Sequence, residues 1–253
     1  MIMQRSLKVL EEQREKELKK GNGQFVKLFE KLRYRHGAWQ AWHDMVHLFA
    51  IEIANSVDYV HAPGRREMYD SIIGKYADEE KELMAQLFAE MVRQLEANPH
   101  QDFLGQTYME LRLGNDGSGQ VFTPYHISEL MARMNLMSGV KEEIEKKGYV
   151  SICDPTCGGG AMLIAGAHVM SEVDPDWKAH TFFVGQDIDS TVAMMAYVQL
   201  SLIGCAGYIR IGNTLEDPPT GGLLGDKSEK TWYLPATMMN LVWVQRIYEI
   251  ESA

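Results

Sequence analysis

From Tyr149 to Ile211 the chain alternates short apolar runs with stretches of helical period, and this constrains the fold more than any other feature of its 253 residues. Tyr149 to Cys153, Thr181 to Gly185 and Tyr208 to Ile211 are β-type runs. Between them, Ala161 to Met170 and Thr191 to Leu202 carry apolar residues at helical spacing. Strand, helix, strand, helix, strand with short links is the pattern of a parallel sheet with helical crossovers, because parallel neighbours cannot be joined by a hairpin. The fold class expected is therefore α/β.

The N-terminal part reads differently. Before Pro99 only Pro63 interrupts it, and apolar residues recur at helical spacing, as in Phe25, Leu28, Phe29 and Leu32. Three helical regions are expected: a charge-laced one from Gln4 to Lys20, ended by Gly21-Asn22-Gly23, a second from Gln24 to Asp58 and a third from Arg65 to Ala97. Residues 1–113 are thus read as a helical region for DNA or partner binding and residues 114–253 as the α/β domain. The boundary falls at the glycine-rich link from Gly114 to Gly119, after which Ile127, Leu130, Met131 and Met134 again have helical spacing.

Charge limits the function classes. The chain carries a net charge of -10, divided as +4 over residues 1–66 and -14 over the remainder, so it does not coat nucleic acid by bulk attraction. Lys27, Lys31, Arg33 and Arg35, interleaved with Phe25, Phe29 and Tyr34, form either a solvated helix face or a phosphate-touching one. Trp39, Trp42, His43, Val46, Phe49 and Ile53 are most economically a core stripe, with base stacking as the alternative. No run approaches the roughly 18 to 20 apolar residues of a bilayer-spanning helix, and a cytoplasmic protein without a membrane partner is expected. Cys153, Cys157 and Cys205 are too few and too uneven for a disulfide framework, and the C-x3-C spacing finds no paired partners among His126, His168 and Cys205. Free thiols and no metal are expected.

The chemistry concentrates where strands end. Asp154-Pro155-Thr156-Cys157-Gly158-Gly159-Gly160 lies between the first strand and its helix, where open parallel sheets bind ligands and glycine lets backbone approach them. No G-x-x-x-x-G-K-[ST] string is present, and a dinucleotide fingerprint begun at Gly158 and Gly160 meets Leu163 where its third glycine belongs. NAD and ATP are disfavoured. A cationic, amino-acid-like cofactor fits better: Asp154 can pair with an ammonium while free amides at the helix N-terminus receive a carboxylate. Cys157 has no identifiable triad partner, and its place in the loop is explained by cofactor binding. Asp187, at the tip of the second strand in Gly185-Gln186-Asp187-Ile188-Asp189, is the candidate for a ribose diol, with Asp189 in the cap of the next helix. Asn213, after the third strand, can read an adenine edge, though a strand-end Asp or Asn also forms turns.

G-Q-V-F-T-P-Y-H-I-S-E-L-M-A from Gly119 to Ala132, then D-P-T-C-G-G-G-A-M-L, G-Q-D-I-D and G-N-T-L, resemble the successive motifs of adenine-N6 DNA methyltransferases. The closest type is the modification subunit of type I restriction systems and its phage and mobile-element relatives. The likeness covers roughly Asp102 to Leu215. It implies a Rossmann-like class I methyltransferase domain that binds S-adenosyl-L-methionine. Phe122, Thr123 and Pro124 would then line the methionine end, Asp154 and Gly158, Gly159 and Gly160 the amino-acid end, Asp187 the ribose, and Ile188 and Asn213 the adenine.

That family flips the target base out and holds it at a [DNS]-P-P-[YFW] loop, whose acceptors take the amine hydrogens while the ring stacks on the base. This sequence has no N-P-P-Y or N-P-P-F; Asp217-Pro218-Pro219-Thr220 keeps three positions but lacks the ring and follows Asn213 by only four residues. It reads as a proline turn, and the catalytic residue is left unassigned. About 40 residues follow the third strand, with Thr231 to Glu251 as one helix or one strand pair, so the domain is abbreviated or completed by a homodimer or partner subunit. The reading is an adenine-N6 DNA methyltransferase with DNA as its partner; alternatives are a non-catalytic cofactor-binding regulatory or inhibitory module, and methyl transfer to RNA or protein.

Overall fold

The computed structural model describes residues 21–114, 122–220, 222–225 and 228–252. Four strands form one sheet in the order β1 (Val150–Asp154), β2 (Thr181–Asp187), β3 (Ala206–Ile211), β4 (Thr231–Tyr233). β1, β2 and β3 are parallel, with Val150 opposite Thr181 and Phe182 opposite Ala206, and β4 closes the far edge antiparallel to β3. The expected α/β fold is therefore present, as a helix-rich molecule around a small, abbreviated Rossmann-like sheet.

Twelve helices are described. α1 (Gly23–His36), α2 (Ala38–Asn55), α3 (Ala62–Ile73), α4 (Asp78–Ala97) and α5 (Phe103–Glu110) precede the sheet. α6 (Tyr125–Leu136) and α7 (Val140–Lys147) lead into β1, α8 (Ala161–Val173) and the single turn α9 (Trp177–His180) cross to β2, and α10 (Ser190–Ile203) crosses to β3. α11 (Pro235–Met239) and α12 (Leu241–Glu251) follow β4. The helix expected over Gln24 to Asp58 is two, broken at Gly37, and that over Arg65 to Ala97 is two, broken after Ile73. The charged stretch from Gln4 to Lys20 and the link from Asn115 to Val121 lie outside the described residues.

One core runs through the helices and the sheet. Phe25, Trp42 and Met91 belong to the same buried cluster as Leu163, Phe183 and Met195. Trp42 donates its indole N–H to Met195 Sδ at 3.4 Å, and the Arg65 guanidinium lies 4.1 Å over the Trp232 ring while pairing with Asp58 at 2.7 Å. The aromatic stripe of α2 is thus divided: Trp42, Val46 and Phe49 are core, while Trp39 is 48% exposed and stacks on His43. On the other side of the sheet Trp243 of α12 packs on Phe182 and Tyr149. β1 is an edge strand, with Ser151 and Cys153 exposed. No helix among the described residues is long and apolar enough to cross a membrane.

Candidate functional site

The carboxyl ends of β1 and β2 open into a cleft that both strand ends and the loop after β1 line. The β1 loop forms one wall. Gly160 caps α8 with φ 93°, and a Cβ there would come within 3.0 Å of Ala196 Cβ on α10, so only glycine lets the two helices approach here. Asp187 crosses from β2 to this loop: Oδ2 accepts from Gly158 N at 2.9 Å and Oδ1 from Asp189 N at 3.0 Å. Asp189 in turn caps α10 through Thr191 N at 2.8 Å, as its position after the strand predicts.

The opposite wall is Phe122 and Thr123, in the segment that enters α6; Phe122 packs on Tyr108 of α5 at 5.4 Å. Of the residues singled out in the sequence, Phe122, Thr123, Asp154, Cys157, Gly158, Gly159 and Asp187 line the cleft together. Four do not. Pro124 precedes α6, Gly160 lies behind the loop at the start of α8, Ile188 is 70% exposed at the tip of β2, and Asn213 turns its Oδ1 to Leu215 N at 3.0 Å. Thr214 beside it hydrogen-bonds the Pro155 carbonyl, which ties the β3 end to the β1 loop.

Electrostatically the cleft is acidic. Asp102, Asp154 and Asp187 line it and no Lys or Arg does, among the described residues. Burial raises the Asp154 carboxyl above its ordinary value, and nearby Asp187 adds to this against the Thr156 N–H that it accepts at 3.1 Å. Burial, with Asp154 and Asp187 adding, also pushes the Cys157 thiol well up, so it is not a thiolate nucleophile. No group of His, Cys, Asp and Glu among the described residues could hold a metal.

Asp102 and Gln199 were missed from sequence. Asp102 is 3% exposed and caps α5 through Gly105 N at 2.9 Å. Gln199, fully buried in α10, donates to Asp102 Oδ1 at 2.9 Å and to the Gly159 carbonyl at 3.0 Å, and accepts from Leu104 N at 2.9 Å. The available signals were an Asp at the start of a helical period and one amide in an otherwise apolar helix. Asp217, by contrast, leaves β3 and pairs with Arg210, its carbonyl accepting from Gln186 Nε2 at 2.9 Å; it does not line the cleft. A second hollow, of about 940 Å3, shares Thr123, Asp154, Thr156 and Met162 with the cleft and continues past Cys153 along β1.

A comparison with curated proteins gives no match. Among solved structures, the methyltransferase subunit of a type I restriction-modification system from Streptococcus thermophilus is similar over 78% of this chain, at 19% identity and a TM-score of 0.43. The present chain spans 40% of the length of that one. The profile of the family described as N-6 DNA Methylase matches residues 100–249, a span that takes in every residue lining the cleft. With more than half of its length so matched, the chain belongs to the N-6 DNA methylase family.

Proposed function

We propose that the cleft holds S-adenosyl-L-methionine and that the chain transfers a methyl group from it to N6 of adenine in DNA. The observation that carries this reading is the composition of the cleft: three carboxylates, a glycine loop and, among the described residues, no Lys or Arg, at the carboxyl ends of parallel strands. That set suits a cationic amino-acid cofactor and opposes a pyrophosphate. When bound, S-adenosylmethionine supplies an electrophilic methyl group on a sulfonium.

The residue roles follow from position. The α8 N-terminus next to Gly159 and Gly160 offers amides and a dipole to a carboxylate. Asp187 already accepts two amides, and its remaining lone pairs suit the two hydroxyls of a ribose. Ile188 and Asn213, on the rim beyond Asp187, are assigned to the adenine, and Phe122, Thr123 and Pro124 to the methionine end. A flipped base would enter from the hollow along β1, which meets the cleft at Thr123 and Asp154. DNA phosphates would be met by the exposed Lys27, Lys31 and Arg35 of α1. In a restriction-modification assembly, a second copy or partner subunit would extend the sheet at β1, whose outer edge carries no strand among those described.

A second reading is a non-catalytic module that binds the cofactor and regulates or inhibits a partner. It is favoured by the absence of N-P-P-Y and N-P-P-F from the sequence and by the pairing of Asp217 with Arg210 away from the cleft. Incubation of the chain with labelled S-adenosylmethionine and unmethylated DNA, with retained cofactor quantified in the same sample, separates the readings. Label recovered as N6-methyladenine is the expected result. Retained cofactor without transfer selects the regulatory module, transfer to RNA or protein changes the acceptor, and failure to bind the cofactor sinks both readings.

A further inference from the structure

Asp102 is a buried carboxylate to which neither the strand pattern nor the β1 loop assigns a task. It lines the cleft, although it belongs to the turn before α5, remote in sequence from the sheet. Both hydrogen bonds that it accepts end on Oδ1, from Gly105 N and Gln199 Nε2, each at 2.9 Å. No described residue donates to Oδ2, and no Lys or Arg among the described residues lines the cleft to neutralise the charge. Burial raises its carboxyl above the ordinary value, against the two donors. A helix cap does not need this arrangement: Asn or Ser caps as well as Asp and brings no charge into the interior.

Its neighbours indicate what the charge meets. A Cβ on Gly159 would stand 3.8 Å from Asp102 Oδ1, and the Gly159 carbonyl shares the Gln199 amide with that oxygen. Asp102 is therefore beside the glycine loop immediately before the α8 amides, where the carboxylate of an amino-acid ligand is received. The ammonium of an α-amino acid is borne on the same carbon as its carboxylate, so it too falls in this part of the cleft. Asp187 has both oxygens engaged by backbone amides, and Asp154, expected from its place at the end of β1 to meet the ammonium, accepts from Thr156 N; it is an Asp102 oxygen, not one of Asp154, that is among the three atoms nearest to a Cβ on Gly159.

We propose that Asp102 is the binding residue for the α-ammonium of the cofactor, with Gln199 holding its carboxylate against the Gly159 carbonyl. This rests on the cleft being the S-adenosylmethionine site. The test is calorimetric binding of three probes to the wild-type chain and to Asp102→Asn, which keeps the cap and the Gln199 contact but removes the charge. S-adenosylmethionine and S-adenosylhomocysteine both carry the ammonium; 5′-methylthioadenosine lacks it. The variant should bind the first two about tenfold or more weakly, and the third within a factor of about two, with its melting temperature retained. Should the Asn variant not fold, Asp102→Ser is measured in its place. Unchanged affinity for S-adenosylhomocysteine, or equal weakening of all three probes, overturns the assignment and leaves Asp102 as a structural cap. Loss confined to S-adenosylmethionine would move its partner to the sulfonium and also overturn it. A wild-type chain that binds none of the probes refutes the cofactor reading itself.

Discussion

His47 shows how much one buried side chain sets. It is 6% exposed, its Nδ1 is 2.8 Å from the His43 carbonyl, and the two imidazoles lie 4.0 Å apart, tilted by 35°. Burial, with His43 beside it, pushes its pKa from 6.5 down to about 4, against the carbonyl contact, Asp44 and Asp189. Between those values the unfolded chain binds a proton that the folded chain refuses, so stability falls as the pH drops through this window. The loss from His47 should be about 2 kcal/mol between pH 6.5 and 5, measured by urea unfolding, and His47→Gln should remove that increment. An equally steep acid loss in the variant would assign the effect to other groups. At this scale the strand-end carboxylates Asp154 and Asp187 were legible, because sheet geometry puts ligands at strand ends. Asp102 and Gln199 were not, since their contact joins residues 97 positions apart. Gly207 hid the start of β3: glycine reads as a turn residue, whereas here a Cβ would overlap the Phe183 carbonyl on the neighbouring strand.

Among the elements, α12 has the clearest energetic role. Trp243 is fully buried, donates its indole N–H to the Lys178 carbonyl at 2.8 Å and packs 5.2 Å from Phe182. One turn on, Arg246 donates to the Gly148 and Ala179 carbonyls at 2.7 and 2.5 Å, so the helix clasps the residues just before β1 and β2. Trp243→Ala should cost about 3–5 kcal/mol in a denaturant titration, as an emptied aromatic site in a core does. A loss below about 1 kcal/mol would show that α12 is peripheral. The tail from Thr231 to Glu251 was readable only as one helix or a strand pair; it holds a strand, a short helix and a longer helix. Three residues of β4 are too few to establish a period, and their pairing with β3 is decided by tertiary contact. Of the six elements from β1 to β3, the three strands and the helices α8 and α10 were read in the right order, because each is long enough for its own periodicity; the four-residue α9 is too short to show one.

Considered as a whole, the molecule gives no energetic reason for the helices and the sheet to unfold separately. Trp42 on Met195, Arg65 over Trp232 and His43 at 2.8 Å from Thr191 Oγ1 all join the two parts across buried or half-buried contacts. Near-ultraviolet and far-ultraviolet circular dichroism should therefore report one coincident thermal transition. Two resolved transitions would mean that the shared core contributes little coupling. The sequence indicated two compositional halves, and periodicity showed which faces of the helices are apolar. It could not show that those faces meet the sheet's own helices, because hydrophobic pattern carries no information about partner.

The edge position of β1 has a practical consequence. Cys153 is exposed there, next to Asp154 of the cleft wall, while Cys157 and Cys205 are buried. The protein thus contains its own single attachment point for a thiol-directed fluorophore, one residue from the cleft wall. Burial of part of its side chain, and Asp154 beside it, raise the thiol's pKa, so coupling should speed up with rising pH. A dye placed there would report, without any engineered mutation, the arrival of a ligand in the cleft as a change in emission.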